Sequence, residues 1–150
     1  RVILGLSEKQ VAAIDAVLDI ALHGGAAAVQ SGEITKRHDI PRRYLEPVLQ
    51  QLSRAGILVG IRGPHGGYRL ARERRRITLG DLIRAIAPHE EGGEGSGPRA
   101  VSQPVVGEVL AELENDIMAR LDDVTVEKLC WRVQEAGRPG TGPATHDYTI

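Results

Sequence analysis

The chain has 150 residues, one cysteine, no phenylalanine and a formal net charge of −1. This length allows one domain with a modest aliphatic core and an appendage, and a single cysteine excludes an internal disulfide framework. No apolar run approaches the roughly 20 residues of a membrane-spanning helix, and Glu8, Lys9 and Gln10 interrupt the first apolar residues, so we expect a cytoplasmic protein without a secretory signal or a membrane partner.

Two helices are predicted in the first 40 residues. Ser7 is the expected N-cap of the first helix, which runs to about Leu22 and ends at Gly24-Gly25. Its apolar side comprises Val11, Ala12, Ala13, Ile14, Val17, Leu18 and Ala21. Residues 31–37 fit the first helix of a helix-turn-helix, which crosses the DNA backbone, and residues 37–40 fit its turn.

A third helix is expected from Pro41, because proline suits a first helical turn, and Gly56 is its stop signal. Its buried face is predicted to consist of Leu45, Val48, Leu49 and Leu52. Pro47 conflicts with this helix, since an internal proline removes a backbone hydrogen bond at a cost of about 3 kcal/mol. Either the helix is kinked there, or its regular part begins later than Pro41.

A β-hairpin is expected directly after this helix. Residues 57–61 form a β-prone run, residues 68–70 alternate with period two, and the Gly-rich stretch 62–67 between them can only be a turn. A helix followed by a hairpin with a basic tip predicts a winged helix-turn-helix domain over residues 1–87, a mainly α fold with a small β-hairpin wing. In such a domain the helix enters the DNA major groove, while the tip reaches the backbone or the minor groove.

The rest of the chain predicts a loop, two helices and a tail. Thr78 and Asp81 have capping-box spacing and begin a helix to about residue 87, and residues 88–103 form a flexible loop without cysteine. A long helix from Pro104 to about Leu121 and a last helix capped by Thr125 make residues 104–135 a dimerisation unit. Residues 136–150, rich in Gly and Pro, predict a disordered tail.

An apolar stripe on the long helix needs a partner surface, which is either its own domain or, as we expect, a second copy of the chain. The stripe and predicted dimer interface comprise Val106, Val109, Leu110, Leu113, Ile117 and Leu121.

Positive charge is concentrated in the predicted winged helix. Between Lys36 and Arg76 there are eleven Lys or Arg and three acidic residues, a local net charge of +8 against −9 for the remainder. Such a block indicates a polyanionic partner for that part of the chain. The alternative is an ordinary solvated face.

Several residues of this block are candidates for DNA contact. Arg62 sits at the wing tip, and a narrow minor groove attracts arginine. Arg42 and Arg43 are placed for guanine edges or phosphates, while Glu46 either accepts from cytosine N4 or pairs with one of those arginines. The residues predicted to bind DNA are Lys36, Arg37, Arg42, Arg43, Tyr44, Glu46, Gln50, Arg62, Gly63, Pro64 and His65.

A set of spaced segments follows a known pattern: Ile40-Pro41, Tyr44-Leu45-Glu46, Arg62-Gly63-Pro64, Gly66-Gly67-Tyr68, Leu70-Ala71, Ile77-Thr78-Leu79 and Asp81-Leu82. Together they resemble the Rrf2 family of IscR-like bacterial winged-helix transcription regulators, and the order of elements fits from about residue 7 to about residue 135. The resemblance implies a homodimeric repressor or activator that binds a pseudo-palindromic DNA operator, and we expect a repressor. It also implies base reading around Arg42, Arg43, Tyr44 and Glu46, with Arg62 in the minor groove.

The chain departs from this family in its sensing loop. Members that sense iron–sulfur status carry three cysteines in the loop before the long helix, whereas residues 89–103 contain none, and one thiol cannot supply the thiolate set of a cluster. We therefore predict no cofactor. The resemblance to cysteine-less members implies that the effector is a metabolite or a partner protein. It also implies a regulatory role in sulfur or cysteine metabolism.

Other functions fit the sequence less well. A protein-interaction adapter that docks a biosynthetic enzyme is the main alternative to DNA binding. No residue lies in a recognisable catalytic motif, so we expect no enzyme. The adjacent residues 89–91 lack the spacing of a metal site, and Cys130 is expected to be a buried small hydrophobe rather than a redox switch.

Overall fold

A computed structural model describes residues 5–86 and 101–137. These residues form six α-helices and one two-stranded antiparallel sheet, in agreement with the predicted mainly α fold with a hairpin wing. In chain order the elements are α1 (Glu8–His23), α2 (Ser31–His38), α3 (Arg42–Arg54), β1 (Leu58–Ile61), β2 (Gly67–Leu70), α4 (Leu79–Ala85), α5 (Pro104–Asp122) and α6 (Val126–Ala136). Most of the predicted loop 88–103 and of the predicted tail 136–150 lies outside the described residues.

Helix α1 begins at a capping box. The Ser7 hydroxyl accepts a hydrogen bond from the Gln10 backbone N–H at 3.1 Å, and the Ser7 N–H donates to Gln10 Oε1 at 3.0 Å. The Gln10 amide also donates to the carbonyls of Ile83 and Ile86, both at 3.3 Å. The start of α1 is thereby joined to the end of α4. Val11, predicted on the buried side, is instead 45% exposed, because the α1 face that packs inward is centred on smaller residues.

Helix α3 carries the predicted buried face, and Leu45, Val48, Leu49 and Leu52 are all 0% exposed. The helix runs from Arg42 through Pro47 to Arg54, and Pro41, expected in its first turn, is instead its N-cap with a ψ of 136°. The helix therefore begins one residue after Pro41 and includes Pro47. Burial of one such side chain stabilises by roughly 1.5–3 kcal/mol. Four of them outweigh the ~3 kcal/mol that an internal proline costs.

The hairpin pairs Leu58 with Leu70 and Ile61 with Gly67. Residue 57, predicted as part of the strand, precedes it and is buried. Beyond this pair, β2 also meets Val29, which forms two hydrogen bonds of 2.8 Å with the backbone of Tyr68. This bridge, which was not predicted, fixes the wing to the segment that enters α2.

Helices α4, α5 and α6 are joined to the winged helix by backbone contacts. Thr78 and Asp81 form the predicted capping box, with hydrogen bonds of 3.1 Å in both directions. The Leu79 N–H donates to the Val124 carbonyl at 2.9 Å, and the Val126 N–H donates to the Ile77 carbonyl at 2.8 Å. The segment between α5 and α6 is therefore paired with the segment that leads into α4.

Helix α6 packs against α1 through part of its predicted apolar side. Val126 and Cys130 are buried, at 0% and 1% exposure, and Leu129 is half-buried. Val133, predicted on the same side, is instead 48% exposed. Within the described residues, no helix has the combined length and apolarity to cross a membrane.

Candidate nucleic-acid interface

One side of α3 is exposed and polar. Arg42, Arg43, Glu46 and Gln50 are all exposed, opposite the four buried aliphatic residues of the same helix. Tyr44 is half-buried and packs on the core, and the Arg43 guanidinium lies 4.8 Å from the centroid of its ring. The structure thus places four of the predicted α3 residues on one accessible face, with Tyr44 at its edge.

Glu46 has no basic partner within 4.0 Å among the ion pairs of the described residues. The alternative that Glu46 pairs with Arg42 or Arg43 is therefore not seen in this structure. Burial raises the pKa of Tyr68 on β2, and the negative charge of Glu46 raises it further. Helix α3 leads into β1 and packs on it, so α3 and the hairpin are neighbouring elements.

The wing tip is exposed at each of its predicted contact residues, namely Arg62, Gly63, Pro64 and His65. Gly63 has a φ of +109°, which L side chains rarely adopt, and the Gly66 N–H donates to its carbonyl at 2.9 Å. This tight turn leaves the Arg62 side chain without a core to pack against.

Four arginines of the basic block lie at the other end of the hairpin, while Arg54 ends α3 and Arg69 lies in β2. Residues 72–76 follow the end of β2, about 13 Å along a four-residue strand from the tip. There Arg75 pairs with Glu73 at 2.5 Å, and Arg72 donates to the Arg76 carbonyl at 3.4 Å. The +8 charge is thus divided, and the part beside α3 comes from α3 itself, the wing tip and the end of α2.

Arg37 and Lys36, both predicted to bind DNA, have different environments. Lys36 is exposed, whereas the Arg37 guanidinium donates to both carboxylate oxygens of Asp19, at 2.7 and 2.8 Å. His38 Nε2 lies 2.9 Å from Asp19 Oδ1. Sequence reasoning missed Asp19, although an acidic residue within the apolar run of α1 was a visible signal of a buried partner.

Asp19 is 1% exposed. Burial acts to raise the pKa of its carboxyl, but hydrogen bonds from Arg37 and His38 and the positive charges nearby outweigh burial and leave the pKa below its ordinary value. Asp19 is therefore a carboxylate at neutral pH.

The apolar stripe of α5 is open in the single chain. Leu113 is 51% exposed, and Val105, which was not part of the prediction, is 66% exposed. The other members with exposures of 39–48% are Val106, Val109, Leu110 and Ile117. Leu121 is only partly exposed, at the end of α5. Within the described residues the stripe does not pack back on its own domain, which was the alternative to a second copy.

A polar helix face and a basic hairpin tip, carried side by side on a helix-turn-helix, define a winged-helix DNA-binding protein. Comparison with known proteins gives the family: a profile described as "Rrf2: Iron-dependent Transcriptional regulator" matches residues 6–132. The chain belongs to the Rrf2 family of DNA-binding transcription regulators.

Individual relatives agree with this assignment. The chain is 34% identical to the HTH-type transcriptional regulator IscR of Vibrio atlanticus over 128 residues, which cover 83% of this chain and 73% of that protein. It is 38% identical to IscR of Vibrio vulnificus over 81 residues, which cover 54% of this chain and 48% of that protein.

Two solved structures share the fold over most of their length. T. potens IscR superimposes with a TM-score of 0.73 at 33% identity, covering 90% of this chain and 93% of that one. The structure described as CymR, the global cysteine regulator of B. subtilis, has a TM-score of 0.70 at 26% identity, covering 87% and 98%.

The family description implies iron, but the residues present do not fit an iron–sulfur cluster. The chain has one cysteine, and Cys130 is 1% exposed on α6, where burial raises the pKa of its thiol. A protonated, buried thiol is a poor cluster ligand. Among the described residues, no group of three or more His, Cys, Asp or Glu is placed to hold a metal ion.

Proposed function

We propose that the protein is a homodimeric repressor that binds a two-fold-related DNA operator. Each protomer inserts the exposed face of α3 into a major groove and the Arg62 tip into the adjacent minor groove. The observation that carries this proposal is the joint exposure of Arg42, Arg43, Glu46 and Gln50 beside an exposed, basic wing tip.

The wing and α3 are supported as one unit, which favours simultaneous contact with both grooves. Tyr68 of β2 is bonded through its backbone to Val29 at 2.8 Å in both directions, and α3 packs on α1 and β1. A DNA-binding protein whose two contacting elements are already fixed loses less conformational entropy on binding than a protein that must order them.

A second copy is the proposed partner of the α5 stripe. Five of its six predicted residues are at least 39% exposed, and an apolar surface of this kind on a soluble domain marks an interaction site. Pairing through α5 doubles the number of half-sites, because a two-fold dimer presents the same reading surface twice. Repression follows most simply from occupation of the promoter.

The effector proposed for this regulator is a metabolite or a partner protein rather than a cluster. The single, buried cysteine supports this choice. Similarity to CymR, whose description names it a cysteine regulator, supports a role in cysteine or sulfur metabolism. Expression of neighbouring biosynthetic genes, measured with and without the protein under sulfur limitation, tests it.

Fluorescence anisotropy with labelled duplexes tests sequence-specific binding. The DNA upstream of the gene for this protein is compared with a scrambled duplex of the same length at several salt concentrations. We expect binding to the upstream duplex at least about 100-fold tighter, with log K falling linearly as log salt rises. Equal affinity for the two duplexes would contradict the proposal, and a stable protein complex without DNA affinity would favour the adapter instead.

A further inference from the structure

A buried carboxylate on α1 holds the last turn of α2. Arg37 Nε and Nη2 lie 2.7 and 2.8 Å from the two oxygens of Asp19, and His38 Nε2 lies 2.9 Å from Oδ1. The Asp19 side chain is 0% exposed, and the Arg37 side chain is 35% exposed. His23 on α1 completes the group, with Nδ1 at 3.0 Å from the Asp19 carbonyl.

These contacts lie immediately before the recognition helix. His38 is the last residue of α2, Asp39 follows in the left-handed conformation with φ of 52°, and Pro41 is the N-cap of α3. Only three residues therefore separate the clamped end of α2 from the first residue of α3. Two of these three are conformationally restricted: Pro41 has a fixed φ, and Asp39 adopts a conformation that few residues tolerate.

The geometry of the pair favours orientation over DNA contact. Both carboxylate oxygens are matched by the planar fork of Arg37, an arrangement that fixes the direction of both groups. A guanidinium engaged in this way has to break two charge-assisted hydrogen bonds before it can donate to a phosphate. It would also leave the buried Asp19 carboxylate with only histidines near it, His38 at 2.9 Å and His23 at 3.4 Å, which costs stability because a buried charge loses its arginine partner.

We propose that Asp19 and Arg37 are positioning residues for DNA recognition: their pair sets the orientation of α2 against α1 and so the angle at which α3 meets the major groove. Arg37, in this account, is not a phosphate ligand. The inference rests on the proposed DNA-binding function, since it concerns the placement of the same helix.

Salt dependence separates the two roles of Arg37. The experiment measures affinity for the upstream and the scrambled duplex at several salt concentrations with the wild type, Arg37→Gln, Arg37→Lys, Asp19→Asn and the double variant Asp19→Asn/Arg37→Gln. Loss of one phosphate contact reduces the slope of log K against log salt by about 0.9 and weakens all duplexes alike. Loss of orientation lowers affinity for the specific duplex while the slope stays as it is.

The positioning role predicts a particular pattern among the variants. Arg37→Gln and Asp19→Asn each weaken specific binding at least about tenfold, and the double variant is no weaker than either single one, because both remove the same interaction. Arg37→Lys behaves like Arg37→Gln, since lysine keeps the charge but lacks the fork. The proposal is overturned if Arg37→Gln lowers the slope and weakens both duplexes equally while Arg37→Lys and Asp19→Asn bind like the wild type.

Lys36→Gln is the matched comparison, because it removes one positive charge from the exposed neighbour of Arg37. It should weaken both duplexes together and reduce the slope. Circular dichroism verifies that each variant is folded. If Asp19→Asn is not folded, Arg37→Lys decides the question, since lysine keeps a cation beside the carboxylate but cannot form the two-bond fork of arginine.

Hydrogen exchange in the absence of DNA distinguishes failure of this inference from failure of the proposed function. Faster exchange in Arg37→Gln than in the wild type of the Tyr44 and Leu45 amides, which donate to the Pro41 carbonyl at 3.0 and 3.1 Å, supports the positioning role, even if the wild type does not discriminate between the duplexes. Unchanged exchange in a folded Arg37→Gln variant contradicts it.

Discussion

Arg62 shows how a single residue gains a function from the lack of a core around it. It lies at an exposed turn beside Gly63 and Pro64, whereas two other arginines of the basic block have acidic partners, Asp19 for Arg37 and Glu73 for Arg75. A cation held at the end of a hairpin is placed to enter a narrow, negative minor groove.

Replacing Arg62 by alanine is expected to weaken operator binding by roughly 1–3 kcal/mol and to lower the salt slope by about 1, because one groove contact is lost. Anisotropy titrations at several salt concentrations measure both quantities. Arg76→Ala is the control, since residue 76 is exposed at the opposite end of the hairpin. An Arg62→Ala variant that binds as tightly as the wild type would remove the wing from the proposed interface.

For single residues, the sequence predicted which side chains are exposed better than it predicted which side chains form ion pairs. The exposed face of α3 follows from its helical period, since the four aliphatic residues fix which side turns inward. The pairing of Arg37 with Asp19 joins residues 18 apart on different helices, and no local pattern reports such a contact. The pairing of Glu46 with Arg42 or Arg43, one of the two alternatives left open by the sequence, was equally local, and no such ion pair is present among the described residues.

At the scale of elements, the attachment of the wing depends on the close approach of two backbones. Gly67 has a φ of +148°, and a Cβ at this position would overlap the backbone of Val29 and Gln30. The bridge between Val29 and Tyr68 therefore requires glycine here.

Gly67→Ala is expected to lower the free energy of unfolding by roughly 2 kcal/mol or more, from backbone strain of about 1–3 kcal/mol together with the overlap. Urea unfolding followed by circular dichroism measures it. Gly60→Ala on the neighbouring strand is the control, because its Cβ would meet only the Tyr68 ring, at 3.8 Å. Equal loss of stability in the two variants would contradict this role of the bridge.

The apolar stripe of α5 is the predicted interface of the proposed dimer, and a charge placed in it should weaken that dimer. Leu113→Glu places a carboxylate in the centre of the apolar stripe, and burying an unpaired charge is costly. We expect the dimer dissociation constant to rise at least about 100-fold, equivalent to ~2.7 kcal/mol, as measured by light scattering over a range of concentrations. Asn115→Glu adds the same charge about half a turn away and should leave the dimer intact. A Leu113→Glu variant that remains dimeric would exclude the stripe as the interface.

Capping motifs made the starts of α1, α4 and α6 predictable, because Ser7, Thr78 and Thr125 each accept a hydrogen bond from a backbone N–H three residues on. The bridge at Val29 was not predictable in the same way, since one residue carries no strand period. Pro47 was misleading for a related reason: its local cost is visible in the sequence, whereas the burial that offsets it depends on the packing of α3 against α1.

At the scale of the whole molecule, the proposed DNA-binding surface of α3 and the wing tip belongs to the same connected structure as the apolar stripe of α5. The segment between α5 and α6 is hydrogen-bonded to the segment entering α4, and Arg84 of α4 is paired with Asp122 at the end of α5 at 2.6 Å. In the proposed dimer, these contacts would couple the pairing of the two α5 helices to the spacing of the two α3 helices. An effector that altered the pairing would, on this proposal, change DNA affinity.

Hydroxyl-radical footprinting of the bound upstream DNA tests the central claim most directly, because it reports which grooves and phosphates are covered on each strand. We expect two protected half-sites related by a two-fold axis and about one helical turn or a multiple of it apart. Each should include a minor-groove segment that becomes accessible with Arg62→Ala. A single unsymmetrical patch, or equal and uniform protection of scrambled DNA, would contradict the account.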